Sequence, residues 1–401
     1  MAGHARDAGL RDAVIINTCA VTNEAVRQGR QTIRRAVREN PGAKIIVTGC
    51  AAQIDPKAYA DMDGVSHVLG NAEKMEAQSF ALKSKTNAKI NVTDIMKARI
   101  ADKSRAGGLI ERARAIVQIQ NGCDHRCTFC IIPFGRGNSR SVPAEEVVRR
   151  IAALVRQGFN EVVLTGVDIS SWGEDLPGKP LLGNLVARIL KSVPALPRLR
   201  LSSIDSAEVD DELFTLFATE ARLTPYLHLS LQHGDNMILK RMKRRHARED
   251  AISLCKRLRR VRPDMSFGAD IIAGFPTETQ EMFENSISLV EACGLAWLHV
   301  FPYSARQGTP AAKMPQVNGA VIKDRAKHLR EVGAKTRAAF LKSRAFGYDL
   351  ALIEKGNLAR LADFSPVNLP THNIAPNSMI GQLRPVRITG YGAGELMGEL
   401  V

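Results

Sequence analysis

The sequence predicts an α/β protein built largely on parallel strands, and two observations lead there. Apolar β runs at Ala115–Gln120, Glu161–Gly166, Arg198–Ser203, Tyr226–Gln232, Phe267–Ala273 and Leu295–Phe301 alternate with helical patterns, as successive β/α units do. Ahead of them, Asp12–Cys19 and Ala43–Cys50 are runs of the buried parallel-strand type. They flank a basic helix, Glu24–Glu39, closed by Asn40-Pro41-Gly42, which completes an open β-α-β unit. A third stretch differs. Short β runs at Leu350–Glu354, Leu358–Ala362, Pro366–Leu369 and Leu383–Gly390, broken by Gly, Pro and Asn, predict a small antiparallel barrel of about sixty residues.

These patterns divide the chain into residues 1–106, 109–338 and 339–401. Lys83–Lys89 and Ala101–Gly108 read as a basic linker or a charged surface loop, with Gly107-Gly108 at the boundary. No run of eighteen apolar residues occurs, and Met1-Ala-Gly-His-Ala-Arg6 lacks the apolar core of a signal peptide. A membrane span is therefore not expected. Seven cysteines, three of them clustered, fit a reducing cytoplasm better than a secreted disulfide scaffold. The net charge of +15 favours an anionic partner, nucleic acid first, although a solvated basic surface reads the same way.

The chemistry concentrates in Cys123-Asp-His-Arg-Cys127-Thr-Phe-Cys130. Three thiolates in such a loop can ligate three irons of an iron–sulfur cube and leave the fourth open to a ligand. Structural zinc usually takes four protein ligands, and no second local pair follows. With Phe129 before its last cysteine, the loop resembles that of the radical S-adenosylmethionine (SAM) enzymes. The resemblance implies a 4Fe–4S cluster on Cys123, Cys127 and Cys130 whose open iron chelates the SAM amino and carboxylate groups. An electron from a reductant protein then cleaves SAM to methionine and a 5′-deoxyadenosyl radical. It also implies a partial (β/α)₆ barrel, with chemistry at the carboxyl ends of the strands. On that resemblance Gly166 and Asp168 approach the SAM amino group, Phe129 lies under the adenine, Gly274 supports it from strand five, and Arg245 serves the carboxylate. Each also reads as a turn or core residue.

Asn17–Thr22 and Thr48–Gln53 resemble the amino-terminal domain of the methylthiotransferases, a radical SAM branch that inserts sulfur and a methyl group. That domain holds an auxiliary 4Fe–4S cluster on three cysteines, of which Cys19 and Cys50 match two. From spacing alone these two thiols share a ligand or fill the core as small hydrophobes. The first family cysteine has no counterpart here, so against the family pattern either the start is mis-assigned or truncated, truncation being the favoured reading and exposing a sheet edge or an interior face, or the auxiliary cluster is incomplete. Cys255 and Cys293 lie in apolar helical stretches and are poor substitutes. Phe301–Pro310 also resembles a methylthiotransferase phrase; its Arg306 faces an anionic substrate or forms a surface ion pair.

Lys240–Arg262 holds eleven Lys and Arg against two acids, a stretch suited to RNA phosphates or simply to solvent. The last domain resembles the RNA-binding TRAM barrel, with Asn368–Ser378 as an unusual insertion. Three branches of the family differ in substrate. The cysteine loop through Pro143 and Thr165–Gly173 resemble the branch that methylthiolates C2 of N6-threonylcarbamoyladenosine in the tRNA anticodon stem-loop. Asp168 and Asp235 are the candidate proton-transfer groups. The isopentenyladenosine and ribosomal-protein aspartate branches stay open as alternatives, as does an RNA-binding remnant that lacks the auxiliary cluster.

Overall fold

The computed structural model describes residues 1–81, 88–98, 113–370 and 377–401. Most of the expected linker, its Gly107-Gly108 boundary and the middle of the 368–378 insertion lie outside the described residues. The chain forms two compact units. The first is Met1–Ser104 with Asn121–Arg140 and Ser304–Met314; the second is Arg105–Gln120, Ser141–Tyr303 and Pro315–Val401. The three-cysteine loop thus belongs to the same unit as Cys19 and Cys50.

In the first unit, β1 (Ala13–Thr18), β2 (Lys44–Gly49), β3 (Val65–Leu69) and β4 (Ile90–Asn91) form one parallel sheet in that order. Alternation along β2 decides its two faces. Ile45 and Val47 pack with Ile33 and Ala36 of α2 (Asn23–Glu39) and with Tyr59 of α4 (Pro56–Ala60). Ile46 packs on the other face with Phe80 and with Ala5 of α1 (Ala2–Asp7). Thr22 caps α2 by accepting the Ala25 N–H at 3.1 Å. Strand β1 is the half-exposed edge. At the end of β2, Gly49 has φ +102°, and a Cβ there would lie 2.2 Å from the Thr18 carbonyl oxygen. Only glycine fits, and α3 (Cys50–Ile54) starts directly after it.

In the second unit all six expected β/α strands form: β5 (Ala115–Gln118), β6 (Glu161–Thr165), β7 (Arg198–Leu201), β9 (Tyr226–Gln232), β10 (Ser266–Ala273) and β11 (Leu295–Pro302). Strand β7 passes through Ser202 into a short β8 (Ser203–Ile204). Pairing is parallel throughout, in the orders β5-β6-β7 and β8-β9-β10-β11. Leu227, Leu229 and Leu231 are buried without remainder, while the alternate residues Tyr226, His228, Ser230 and Gln232 form a polar inner face. Helices follow the strands: α6 (Ala144–Arg156), α7 (Leu182–Ser192), α8 (Asp211–Thr219), α9 (Asn236–Met242), α10 (Arg248–Val261) and α11 (Gln280–Cys293).

Helix α12 (Gly319–Ser343) runs through residue 338 into the carboxyl-terminal barrel. That barrel is closed, in the order β12 (Gly347–Ile353), β13 (Leu358–Arg360), β14 (Pro366–Asn368), β16 (Glu395–Leu400), β15 (Leu383–Gly392). The expectation of a wholly antiparallel barrel is corrected, because β14 pairs with β16 in parallel. The fifth strand closes the ring beside β14 by returning from a hairpin with β15. Its core is continuous with the β/α part: Trp297, Tyr226 and Leu341 of α12 pack with Ile353, Leu361 and Val386. This shared apolar core is why no break separates the two parts.

Candidate active site

The cysteine loop is held from all sides by its own unit. Gly122 has φ +78°, and a Cβ there would come within 1.8 Å of the Asn138 carbonyl oxygen. Cys123 N–H donates to Gly137 O at 3.0 Å, Asp124 accepts the Ser139 N–H at 3.1 Å, and Arg126 donates to Cys123 O at 2.7 Å and to Asn138 Oδ1 at 2.9 Å. The far side is tied by Ala311 N–H to Thr128 O at 2.9 Å. Cys127 is buried, whereas Cys123, Phe129 and Cys130 are half-buried. A loop fixed in this way presents thiols without an ordering cost at the moment of ligation.

Directly after Cys130 comes the short helix α5 (Ile132–Arg136), and it lies on Cys50. A Cβ on Gly135 would sit 2.9 Å from the Cys50 Cβ. Arg136 Nε–H donates to Cys50 Sγ at 3.0 Å. Asn71 donates to Gly135 O at 2.5 Å and approaches the same sulfur at 3.7 Å. Cys19, by contrast, is exposed at the end of β1, with its sulfur accepting the Val21 N–H at 3.5 Å. No disulfide links any of the seven cysteines. Three thiols in a pinned loop, and a further pair of which one faces a guanidinium, are a donor set that suits iron–sulfur clusters.

The other two cysteines do not join them. Cys255 of α10 and Cys293 of α11 are fully buried in the second unit. Their mutual hydrogen bond pushes the Cys255 thiol well up and draws Cys293 down; with no other cysteine at hand, the buried pair serves as packing.

The sequence-expected residues of the second unit take definite places. After β6, Gln120 Oε1 accepts the amides of Val167 at 3.0 Å and Asp168 at 2.9 Å, and a Cβ on Gly166 would meet Gln120 O at 2.8 Å. Asp168 Oδ2 accepts from Ser171 Oγ at 2.9 Å. Asp235 caps α9 through Met237 and Ile238 N–H and accepts from Asn285 at 2.9 Å, a turn-making use of its carboxylate. Gly274, at φ +76°, turns the chain where a Cβ would meet Ile322 of α12 at 2.5 Å, so packing alone requires glycine there. Arg245 is half-exposed and paired with Glu208 at 2.9 Å.

Its neighbour Arg244 points inward instead. Arg244 donates to Asp205 Oδ2 at 2.7 Å and Ser230 O at 2.6 Å, and His246 Nδ1 meets Asp205 Oδ1 at 3.0 Å. Burial opposes the Asp205 charge, but His246 and Arg244 outweigh it and hold the carboxyl at about 2. The inner face also gathers His228, Asp270 and His299, with both imidazoles on Asp270 Oδ1 at 3.0 and 3.1 Å. Against the effect of burial, these two hydrogen bonds keep Asp270 well below the usual carboxylate range, and the bond to Asp270 raises His299. Tyr226 Oη adjoins His228 Nδ1 at 3.0 Å. The sequence reading missed Arg244, His246, His228 and His299; the polar alternation Tyr226, His228, Ser230, Gln232 was a signal for His228.

The basic Lys240–Arg262 stretch is corrected in part as an RNA surface. Arg241, Arg244, Arg259 and Arg262 are half-buried and donate to Thr277, Asp205, Gly294 and the Phe217, Glu220 and Leu223 carbonyls of their own unit. Lys240, Lys243, Lys256 and Arg260 remain at the surface.

Comparison with known proteins agrees with this layout. Residues 117–290 match the Radical SAM superfamily, the class to which the six-strand unit conforms, and residues 3–70 match the uncharacterized protein family UPF0004. The threonylcarbamoyladenosine tRNA methylthiotransferase MtaB of Rickettsia prowazekii is 49% identical over 98% of this chain and 91% of its own. The protein of that name from Aquifex aeolicus is 36% identical over 82% of this chain and 81% of its own. The tRNA-2-methylthio-N(6)-dimethylallyladenosine synthase of Ruegeria sp. is 32% identical over 97% and 90%. The chain belongs to the radical SAM methylthiotransferase family. Among solved structures, the radical SAM methyltransferase TsrM of Kitasatospora setae has a similar fold, with a TM-score of 0.57 at 18% identity over 77% of this chain and 67% of that one.

Proposed function

We propose that this protein is the enzyme that methylthiolates C2 of N6-threonylcarbamoyladenosine in the tRNA anticodon stem-loop, using SAM and 4Fe–4S clusters. The 49% identity to a threonylcarbamoyladenosine tRNA methylthiotransferase over nearly the whole chain supports the substrate. The observation that carries the chemistry is the joining of two thiol sets in one unit by α5. Cys123, Cys127 and Cys130 hold the cluster that, with SAM and an electron from a reductant protein, supplies the radical that activates C2–H. Cys19 and Cys50 belong to the auxiliary sulfur site, and Arg136 orients the Cys50 sulfur. Gly166 and Asp168, in the turn clamped by Gln120, face SAM. The surface cations Lys240, Lys243, Lys256 and Arg260 attract the RNA backbone, and the carboxyl-terminal barrel adds an RNA-binding surface. The reaction belongs in the cytoplasm, with its tRNA substrate. No described helix is long and apolar enough to cross a membrane.

Deletion of the gene and mass spectrometry of tRNA nucleosides test this. Threonylcarbamoyladenosine should accumulate as its methylthio derivative disappears. An unchanged level of the derivative would overturn the assignment.

A further inference from the structure

The first unit contains a cavity of about 470 Å³, a size typical of small-molecule sites. Three of its apolar wall residues, Ala20, Ala51 and Ile131, each follow a cysteine assigned above: Cys19, Cys50 and Cys130. The thiols themselves are not part of the lining. The polar side is built from Arg30, Arg306, Asn23 and Tyr59. Asn23 Oδ1 accepts from Arg306 Nη1, while the Asn23 N–H donates to Ser304 Oγ at 3.1 Å, so the guanidinium is fixed in orientation. The Arg30 guanidinium stands 5.8 Å from the Tyr59 ring centre.

The charge of this wall is not neutralised. Among the described residues no carboxylate forms an ion pair with Arg30 or Arg306. Asp55, the acidic residue of the lining, spends Oδ1 on the Ala58 N–H at 3.2 Å as the cap of α4. Tyr59 is 1% exposed, with Arg30 beside its hydroxyl, and the buried Arg306 Nε has no hydrogen-bond partner among the described residues. A buried donor is normally satisfied, so the Arg306 Nε–H is left to be met by a ligand. Two cations and an orphaned donor above an apolar floor call for a small organic anion with several acceptor oxygens.

We propose that this cavity receives the threonyl carboxylate of the N6-threonylcarbamoyl group and so selects that substrate; the proposal rests on the function given above. Arg306 and Arg30 bind the carboxylate, Tyr59 donates to one of its oxygens, and the apolar floor takes the threonine methyl. A dimethylallyl group carries no charge and leaves both guanidinium groups unmatched. Discrimination then comes chiefly from the buried Arg306 Nε, left unpaired with the wrong substrate, while the exposed Arg30 adds charge at the mouth.

The test compares two anticodon stem-loops binding to the reconstituted holoenzyme. One carries threonylcarbamoyladenosine, and the other carries its neutral threoninamide counterpart. The wild type should bind the acid form at least about tenfold more tightly. Arg306→Met and the volume-conserving Tyr59→Phe should each remove most of that preference, and Arg306→Lys should restore part of it. Equal binding of the two loops by the wild type would overturn the proposal. So would variants that weaken an unmodified loop as much as the acid loop, which would mark a backbone phosphate as the ligand. A wild-type preference in binding without turnover of the acid loop would support the pocket and sink the function.

Discussion

The two units use positive charge in opposite ways. In the second unit the buried and half-buried cations Arg200, Arg325, Arg244 and Arg344 are matched by carboxylates: Glu161 at 2.8 Å, Glu278 at 3.5 Å, Asp205 at 2.7 Å and Asp363 at 2.8 Å respectively. Glu161 is fully buried, and although burial works against its charge, Arg200, Arg114 and Arg198 hold it below the usual range. In the first unit Arg136 faces a thiol, and Arg30 and Arg306 face an open cavity. A cation already matched inside the fold builds the fold; one held in place without its counter-charge is kept for a ligand. The same division separates the cysteines, since Cys255 and Cys293 satisfy each other while the five of the first unit meet loops, a guanidinium or solvent.

The comparison breaks first at the thiols. Cys127→Ala should abolish SAM cleavage and halve the iron bound after anaerobic reconstitution, from about eight to about four per chain. Cys255→Ala should keep both and lose only about 1 kcal/mol of stability through a small cavity. Comparable iron loss in the two variants would erase the distinction. Next in size is Arg136→Gln, which removes the charge beside Cys50. Partners of metal ligands usually contribute about 10–100-fold in affinity, so methylthiolation should fall by that order while SAM cleavage persists. Equal loss of both activities would count against a separate sulfur site.

A matched charge acts on stability alone. Asp205 has its carboxyl lowered from 3.8 to about 2 in the native state. Its contribution, about 2 kcal/mol, is present above pH 4 and is lost as pH falls toward 2. Denaturant titrations of the wild type should show that slope, and Asp205→Asn should flatten it while destabilising the protein by about 3 kcal/mol at neutral pH. An unaltered acid slope in the variant would place the titration elsewhere.

Much of this was legible in the chain because period and spacing are local properties. The six β/α strands form within a residue or two of their sequence-expected positions, and C-x₃-C-x₂-C places three thiols on one loop whatever surrounds it. Partner choice is not local. Nothing in Met-Lys-Arg-Arg-His tells that Arg244 turns inward to Asp205 while Arg245 stays outside with Glu208; helix α9 ends at Met242 with Lys243 at φ +59°, and that turn decides the direction. Arg30 read as one more charge on a basic helix. Its importance lies with Tyr59 and Arg306, which are distant in sequence. The parallel pairing of β14 with β16 is hidden for the same reason, since strand order is set by how the ring closes.

Helix α5 connects Cys130 to Cys50 with five residues and no slack. Whatever fixes Cys130 also fixes Arg136, and whatever fixes Cys50 sulfur acts back on Arg136. The conformational entropy of that short segment is therefore lost once, not twice. A substitution that displaces α5 is therefore felt at Cys130 and at Cys50 together.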